Sequence, residues 1–257
     1  MKEKILIATP ISKRHNYCVD AWYKSIQQYK NVEFDVLIID TTADNGEYFK
    51  ILKSKFPDAI IQRHEWDTNT IHFLQMLAHV REKIRNYFID HNYSHLLFID
   101  ADIVIYPEYL KRLIKFNKDR CGPLVHVYSK PKDLPCVFHD GYVNMQSGLS
   151  YCTWTELFNC DRKLIRCYAN ALGCSLIKRS VMEKCHFNTH NNLIYGEDLW
   201  FNNEMADRKF EMYVDTAYKV YHNNVDWSIP IKQDNSKKQM NLSIAIGTPD
   251  ATEIMVR

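Results

Sequence analysis

The sequence lacks any apolar run long enough to cross a membrane. After Met1-Lys2-Glu3-Lys4 the first apolar stretch runs only from Ile5 to Ala8, short of both a signal-peptide core and a spanning helix, so no integral membrane segment and a cytoplasmic location are expected. Charge of one sign is also missing. With 33 basic residues against 31 acidic ones and a formal net charge of +2, no whole-molecule field favours nucleic acid or an anionic membrane, and any phosphate binding must be local. There is no Cys-x-x-Cys pair among the eight cysteines, at 18, 121, 136, 152, 160, 167, 174 and 185. A chain of 257 residues has core enough to do without disulfide staples, so reduced thiols are expected. Cys185 with His186 and His190 is a weak zinc pattern, one thiol and two imidazoles without a second cluster, and a loop is the plain alternative. No internal repeat and no low-complexity tract interrupts a composition that is 46% hydrophobic and 25% charged, which is that of a globular chain with a true core.

Lys4 to Thr9 and Asp35 to Asp40 are β-branched-rich apolar runs of the length of strands buried on both faces. Val19, Trp22, Ile26 and Tyr29 recur between them at helical spacing, giving a strand-helix-strand unit and hence parallel strands. Turn residues from Thr41 to Gly46 lead to a short helix through Tyr48, Leu52 and Phe56 that Pro57 closes, and Ala59-Ile60-Ile61 reads as a third strand. From Phe73, the positions Leu77, Val80, Ile84, Tyr87 and Phe88 form the longest helical stripe, with Arg81 and Arg85 one turn apart beside it. His95 to Asp100 is a fourth strand, Pro107-Glu108 opens a helix, and Pro123 to Tyr128 is a further strand. Residues 129–166 carry turn punctuation and aromatics, suited to loops or short strands over a pocket. Regular structure returns at Ala171 to Ile177, near Ser180 to Lys184, at a helix opening on Glu197-Asp198, and at a strand through Tyr218 to His222. The expected organisation is one α/β domain over residues 1–225, with a first half of alternating strands and helices (1–104) and a second half customised for a partner molecule (105–225), followed by a tail or accessory strand at 226–257.

Ligands of open parallel sheets lie at the carboxyl ends of the strands. Three polar strand ends stand out: Thr9-Pro10, Asp40-Thr41-Thr42 and Asp100-Ala101-Asp102. Alternate positions at a strand end can bring Asp100 and Asp102 to one side, where a divalent cation relieves their repulsion, and hard oxygen ligands suit Mg2+ or Mn2+. A solvated or capping pair of aspartates is the alternative.

In order along the chain, these pieces resemble the nucleotide-sugar glycosyltransferases of the GT-A fold, particularly the family 2 enzymes. Thr9-Pro10 ends the first strand, Ile39 to Asn45 is similar to the family's aspartate loop, and Arg81 to Arg85 to its Arg-Asn helix. Leu96 to Asp102 supplies the DXD motif. Gly173 to Arg179 resembles the strand under the acceptor site, Gly196 to Phe201 the Glu-Asp motif, and His222 the histidine that often completes the metal site. The likeness covers about residues 4–222, and ordered co-occurrence is more specific than any one motif. It departs where the Asp40 loop is one residue short and where Glu82 replaces the usual Asn.

The resemblance implies a GT-A (Rossmann-like), mixed and mainly parallel central sheet flanked by helices. It also implies transfer of a sugar from a nucleoside diphosphate donor to a hydroxyl acceptor, with inversion and no covalent intermediate. Asp198 would be the general base with Glu197 beside it. Asp102, Asp100 and His222 would hold Mn2+ or Mg2+, and Thr9, Pro10, Asp40, Arg81 and Asp100 would bind the nucleotide sugar. For each residue a plain role stands alongside: a turn-capping Asp40, a surface-helix Arg81, first-turn acids at Glu197-Asp198, a satisfied structural His222. Arg85 reads as a solvated neighbour, and Trp154, Trp200 and Trp227 as either a sugar-stacking wall or core residues. Two other functions fit the sequence less well: a haloacid-dehalogenase-like phosphatase, whose nucleophile belongs nearer the start of its domain, and a catalytically silent GT-A-like binding protein.

Overall fold

The computed structural model describes residues 4–127, 134–135, 137–138, 157, 164–189 and 196–221. In chain order, β1 (Lys4–Ile11), α1 (Val19–Ile26), β2 (Glu33–Asp40), α2 (Glu47–Lys55), β3 (Ile60–Arg63), α3 (Phe73–Asp90) and β4 (His95–Ile99) make the first half. Then follow α4 (Pro107–Phe116), β5 (Arg120–Val127), β6 (Leu134–Pro135), β7 (Val137–Phe138), β8 (Leu164–Cys167), β9 (Ala169–Asn170), β10 (Cys174–Lys178), α5 (Arg179–Met182), α6 (Glu197–Asp207) and β11 (Met212–Tyr221). The main sheet runs β3-β2-β1-β4-β10-β5-β11-β8, with β6 on β5 and a separate β7-β9 ribbon. β3, β2, β1 and β4 are all parallel, β10 enters antiparallel between β4 and β5, and β11 returns parallel to β5. The mixed, mainly parallel α/β sheet is thus the one the motifs implied.

β1 shows why its run is apolar throughout. Ile5, Ile7 and Ile11 pack on one face against Trp22 and Ile26 of α1, Leu52 of α2 and Leu110 of α4. Leu6 and Ala8 face Val80, Ile84 and Phe88 of α3, Val181 of α5 and Phe201 of α6. A strand covered by helices on both sides has no polar face to alternate with. Where β5 approaches β10, Gly122 leaves no room for a side chain, since a Cβ there would collide with the backbone oxygen of Cys174.

Several elements depart from the sequence reading. β4 stops at Ile99, and Asp100 to Asp102 form a turn in which Ile103 N–H donates to Asp100 O at 2.9 Å, so strand alternation does not place the two carboxylates. β5 begins at Arg120, ahead of Pro123; its ladder with β10 covers only Arg120 and Cys121, so the N–H that proline lacks costs no ladder bond on that side. β11 begins at Met212, well ahead of Tyr218, and holds a buried acid in that stretch. Asp215, fully buried, accepts from Arg112 Nε and Nη2 at 2.6 and 3.1 Å beside a register shift between Asp215 and Lys219.

Arg85 is buried rather than solvated. It donates to the carbonyls of Cys185 (2.7 Å) and Glu183 (3.2 Å), groups that the end of α5 leaves without helical partners. Glu82 completes the clasp, accepting from Arg85 Nη1 and from Phe187 N–H at 2.8 Å. Cys185 is buried, its thiol pushed up to about 12 by that burial, and His186 bonds Glu82. Cys185 is thus a core residue and His186 an exposed partner of Glu82; His190 lies outside the described residues.

Candidate functional site

The carboxyl ends of β1, β2 and β4 open on one side of the sheet. At the end of β2, Asp40 is buried and its Oδ1 accepts from Thr42 N–H (2.9 Å) and Thr42 Oγ1 (2.6 Å), while Oδ2 has no hydrogen-bond partner among the described residues. Burial raises the Asp40 pKa, against the Thr42 hydrogen bonds. Thr42 Oγ1 in turn accepts from Lys13 N–H at 2.9 Å, tying the loop after β1 to the end of β2. Thr9 is buried within β1, with its hydroxyl on Pro10 O at 3.2 Å.

A cleft of ≈ 210 Å³ lies here, lined by Pro10, Ile11, Thr41, Trp66, Phe73 and Met76 among others. Trp66 holds its wall because its indole Nε1–H donates to Thr41 O at 2.8 Å. Sequence reasoning passed over Trp66. The strand-end rule would have found it, since it follows the carboxyl end of β3 by three residues. An apolar slot with an aromatic wall beside an unpartnered buried carboxylate oxygen suits a flat heterocycle carrying N–H donors.

The loop entering α1 contributes a 3-10 turn, Lys13–His15. His15 Nδ1 accepts from Ser12 N–H at 3.2 Å, which leaves Nε2 as the protonated nitrogen of a neutral ring. Burial and then Arg14 lower the His15 pKa, while Asp102 and Asp100 pull it up, so both carboxylates act on this imidazole. Their surroundings differ: the Asp100 side chain is 26% exposed, whereas Asp102 is buried.

Arg81 joins the two halves of the site. Its Nε donates to Glu197 Oε1 at 2.7 Å, its Nη2 reaches Asp100 Oδ1 at 3.5 Å, and its guanidinium lies 4.8 Å from the Phe98 ring centre. Nη1 is buried with no hydrogen-bond partner among the described residues. Burial raises the Glu197 pKa, opposed by Arg81 and reinforced by Asp198. At the start of α6, Asp198 Oδ1 accepts from Leu199 N–H at 2.8 Å, and Gly196 makes space for it, since a Cβ there would stand 3.1 Å from that oxygen. α6 is anchored to the sheet by Arg120, fully buried, which donates to Asn202 Oδ1, to Ser175 Oγ at 3.1 Å and to the carbonyls of Asn170 and Ala171. Nothing in the sequence pattern marked Arg120.

The sequence-assigned residues Thr9, Pro10, Asp40, Arg81, Asp100, Asp102, Glu197 and Asp198 are all in the described part; His222, Trp154 and Trp227 are not, and Trp200 is half-buried on α6. Among the described residues, no group of three or more His, Cys, Asp and Glu side chains could hold a metal ion. Asp100 and Asp102 offer hard oxygen donors of the kind that bind Mg2+ or Mn2+ through one or two carboxylates, with substrate phosphates and water filling the remaining positions, so the donor chemistry fits. No helix among the described residues is long and apolar enough to cross a membrane.

His64, whose N–H donates to Asp40 O at 2.8 Å, gives the fold a pH dependence. Burial, then Lys83 and His79, hold its pKa below the ordinary 6.5. The unfolded chain therefore binds the proton more readily, and native stability, complete above pH 6.5, falls as the pH drops through that value towards the depressed folded one. The melting temperature should fall from about pH 7 to about pH 5, and His64→Gln should flatten part of that fall, His15 contributing in the same direction. An unchanged slope in the variant would remove His64 from the account.

No protein-family model and no curated protein matches the sequence. Solved structures do match in fold. Residues 1–349 of S. aureus TarS in complex with UDP-GlcNAc superpose with a TM-score of 0.51 at 15% identity, over 85% of this chain and 58% of that one. The mannosyltransferase PcManGT from Pyrobaculum calidifontis, in complex with GDP-Man and Mn2+, gives 0.53 at 12% identity, over 86% of this chain and 57% of that one. The chain thus spans less than two thirds of either neighbour, and what it shares with them is the fold of nucleotide-sugar glycosyltransferases.

Proposed function

We propose that the chain is a divalent-metal-dependent glycosyltransferase that moves a sugar from a nucleoside diphosphate donor to a hydroxyl acceptor, with inversion at the anomeric carbon. The observation that carries this reading is the Arg81 bridge, which brings Asp100 of the strand-end turn and Glu197 of α6 together on the side of the sheet where the Trp66 cleft opens. The fold shared with enzymes solved with UDP-GlcNAc and GDP-Man supports it.

In this reading the base lies in the cleft between Pro10 and Trp66, where Asp40 Oδ2 can accept from a base N–H or a ribose hydroxyl. Asp100 and Asp102, with His222 as the resemblance implies, would hold Mn2+ or Mg2+, which when bound supplies charge stabilisation for the departing diphosphate. Asp198, half-buried at the start of α6, takes the proton of the acceptor hydroxyl as its oxygen attacks the anomeric carbon. One base suffices for a single displacement, so no protein nucleophile is required. Glu197, engaged by Arg81, fixes the start of the helix that carries the base.

The test is a stability screen with uridine, guanosine, cytidine and thymidine diphosphates in the presence of manganese, followed by transfer assays with the corresponding sugars, because a ligand that binds only the native state raises the melting temperature. Asp102→Ala should abolish transfer and most of the manganese-dependent stabilisation, with the melting temperature of the free protein read alongside to separate loss of metal from loss of fold. Full activity of that variant in saturating manganese would remove Asp102 from the metal site.

A further inference from the structure

The diphosphate of a donor needs cationic or N–H partners, and the arginine that the sequence offers for it is occupied. Arg81 has Nε on Glu197 and Nη2 at Asp100, and its remaining nitrogen, Nη1, is buried, so it presents no open fork to a phosphate. The cleft has another cation at its edge. Arg14 lines it, is exposed to solvent, and has its guanidinium 5.3 Å from the ring centre of Phe73, which lines the same cleft from the start of α3. His15, the next residue, lines it too.

The turn that carries this pair is held from two sides. Lys13 N–H donates to Thr42 Oγ1, which is itself bonded to the buried Asp40, and His15 N–H donates to Ser12 O at 2.9 Å while its Nδ1 accepts from Ser12 N–H. With Nδ1 so used, Nε2–H is the ring's remaining donor, and it has no hydrogen-bond partner among the described residues. A planar cationic fork and a neutral N–H thus stand adjacent in sequence on a pinned turn that lines the cleft and feels the charges of Asp100 and Asp102, the donor types that suit phosphate oxygens.

We infer that Arg14 and His15 bind the diphosphate of the nucleotide donor and so select nucleoside diphosphates over nucleosides, an inference that rests on the glycosyltransferase reading. Arg14 supplies charge and a two-pronged contact to phosphate oxygens, and Phe73 holds its guanidinium over the cleft. His15 donates from Nε2. Neither residue belongs to the motifs that carry the family resemblance.

The experiment compares the full chain with Arg14→Gln, Arg14→Lys and His15→Asn, the last keeping an acceptor near Nδ1 for Ser12 N–H while deleting the Nε2 donor. Binding of uridine, uridine diphosphate, guanosine and guanosine diphosphate is measured by calorimetry with and without manganese, the metal-free arm isolating the protein's own contacts. For whichever diphosphate the wild type binds, Arg14→Gln and His15→Asn should each weaken it by about tenfold or more. Affinity for the matching nucleoside should stay as in the wild type, and Arg14→Lys should recover part of the loss. Variants that bind the diphosphate as the wild type does, or that lose nucleoside and diphosphate equally, would overturn the grip and leave the enzyme reading standing. A wild type that binds neither diphosphate and transfers no sugar would bring down the reading and the grip together.

Discussion

Asp198→Asn is expected to lower the rate of sugar transfer by roughly two to four orders of magnitude, the usual worth of a positioned general base, and to leave donor binding nearly unchanged. The amide oxygen can replace Oδ1 as the acceptor for Leu199 N–H, a 2.8 Å contact in the native chain, so the start of α6 keeps its local hydrogen bond. The amide cannot take the acceptor's proton. If Asp198 served only as a first-turn acid, the same change would cost a few tenths to about 1 kcal/mol of stability and leave the rate alone. Single-turnover kinetics and donor titration on the same preparation separate the two. Normal turnover with a slightly lower melting temperature ends the catalytic role, and lost donor binding moves Asp198 into the nucleotide site.

The sequence made the first half of the fold legible because burial on both faces leaves a plain mark. β1 and β2 read as unbroken apolar runs, and α3 as a long stripe, since helices cover the sheet on either side. Strand direction leaves no such mark. The segment ending at Ile177 was readable as regular structure, but that it would enter antiparallel between β4 and β5 depends on partners far away in the chain. β11 was legible only from Tyr218, because Asp215 and Thr216 look like a turn until Arg112 is seen to neutralise the first of them.

The site was legible as a set of strand and helix ends, and much less so as a set of contacts. Asp40, Asp100, Asp102, Glu197 and Asp198 could be marked because acids at such ends are a local feature. What holds them was hidden. Arg81 read as a nucleotide-sugar-binding or surface-helix cation, Arg85 as a solvated one, and Arg120 went unmarked, yet all three are buried and bond groups 50 to 116 residues away in sequence. A long side chain can leave an apolar helix face and satisfy itself at distance, which helical periodicity does not register. Glu82 is the same case: a departure from the family pattern by sequence, and in the structure the acceptor that fixes Phe187 N–H.

Arg81→Met tests the bridge itself. Both side chains of the Arg81–Glu197 pair are 6% exposed, so removing the guanidinium leaves a buried carboxylate with its nearest counter-charge gone, a loss expected to cost about 3–5 kcal/mol in urea unfolding. Adding Glu197→Gln should return most of that stability, because the uncompensated charge is removed with its partner. Transfer should not return with it, since Asp100 has also lost its contact with Arg81 Nη2 and the start of α6 its tie to α3. A single variant that costs less than about 1 kcal/mol, the worth of an exposed pair, would mean that water reaches the bridge and that Arg81 is free to meet a phosphate. A double variant with wild-type transfer would show instead that the bridge holds the fold together and has no part in placing Asp100 or the base.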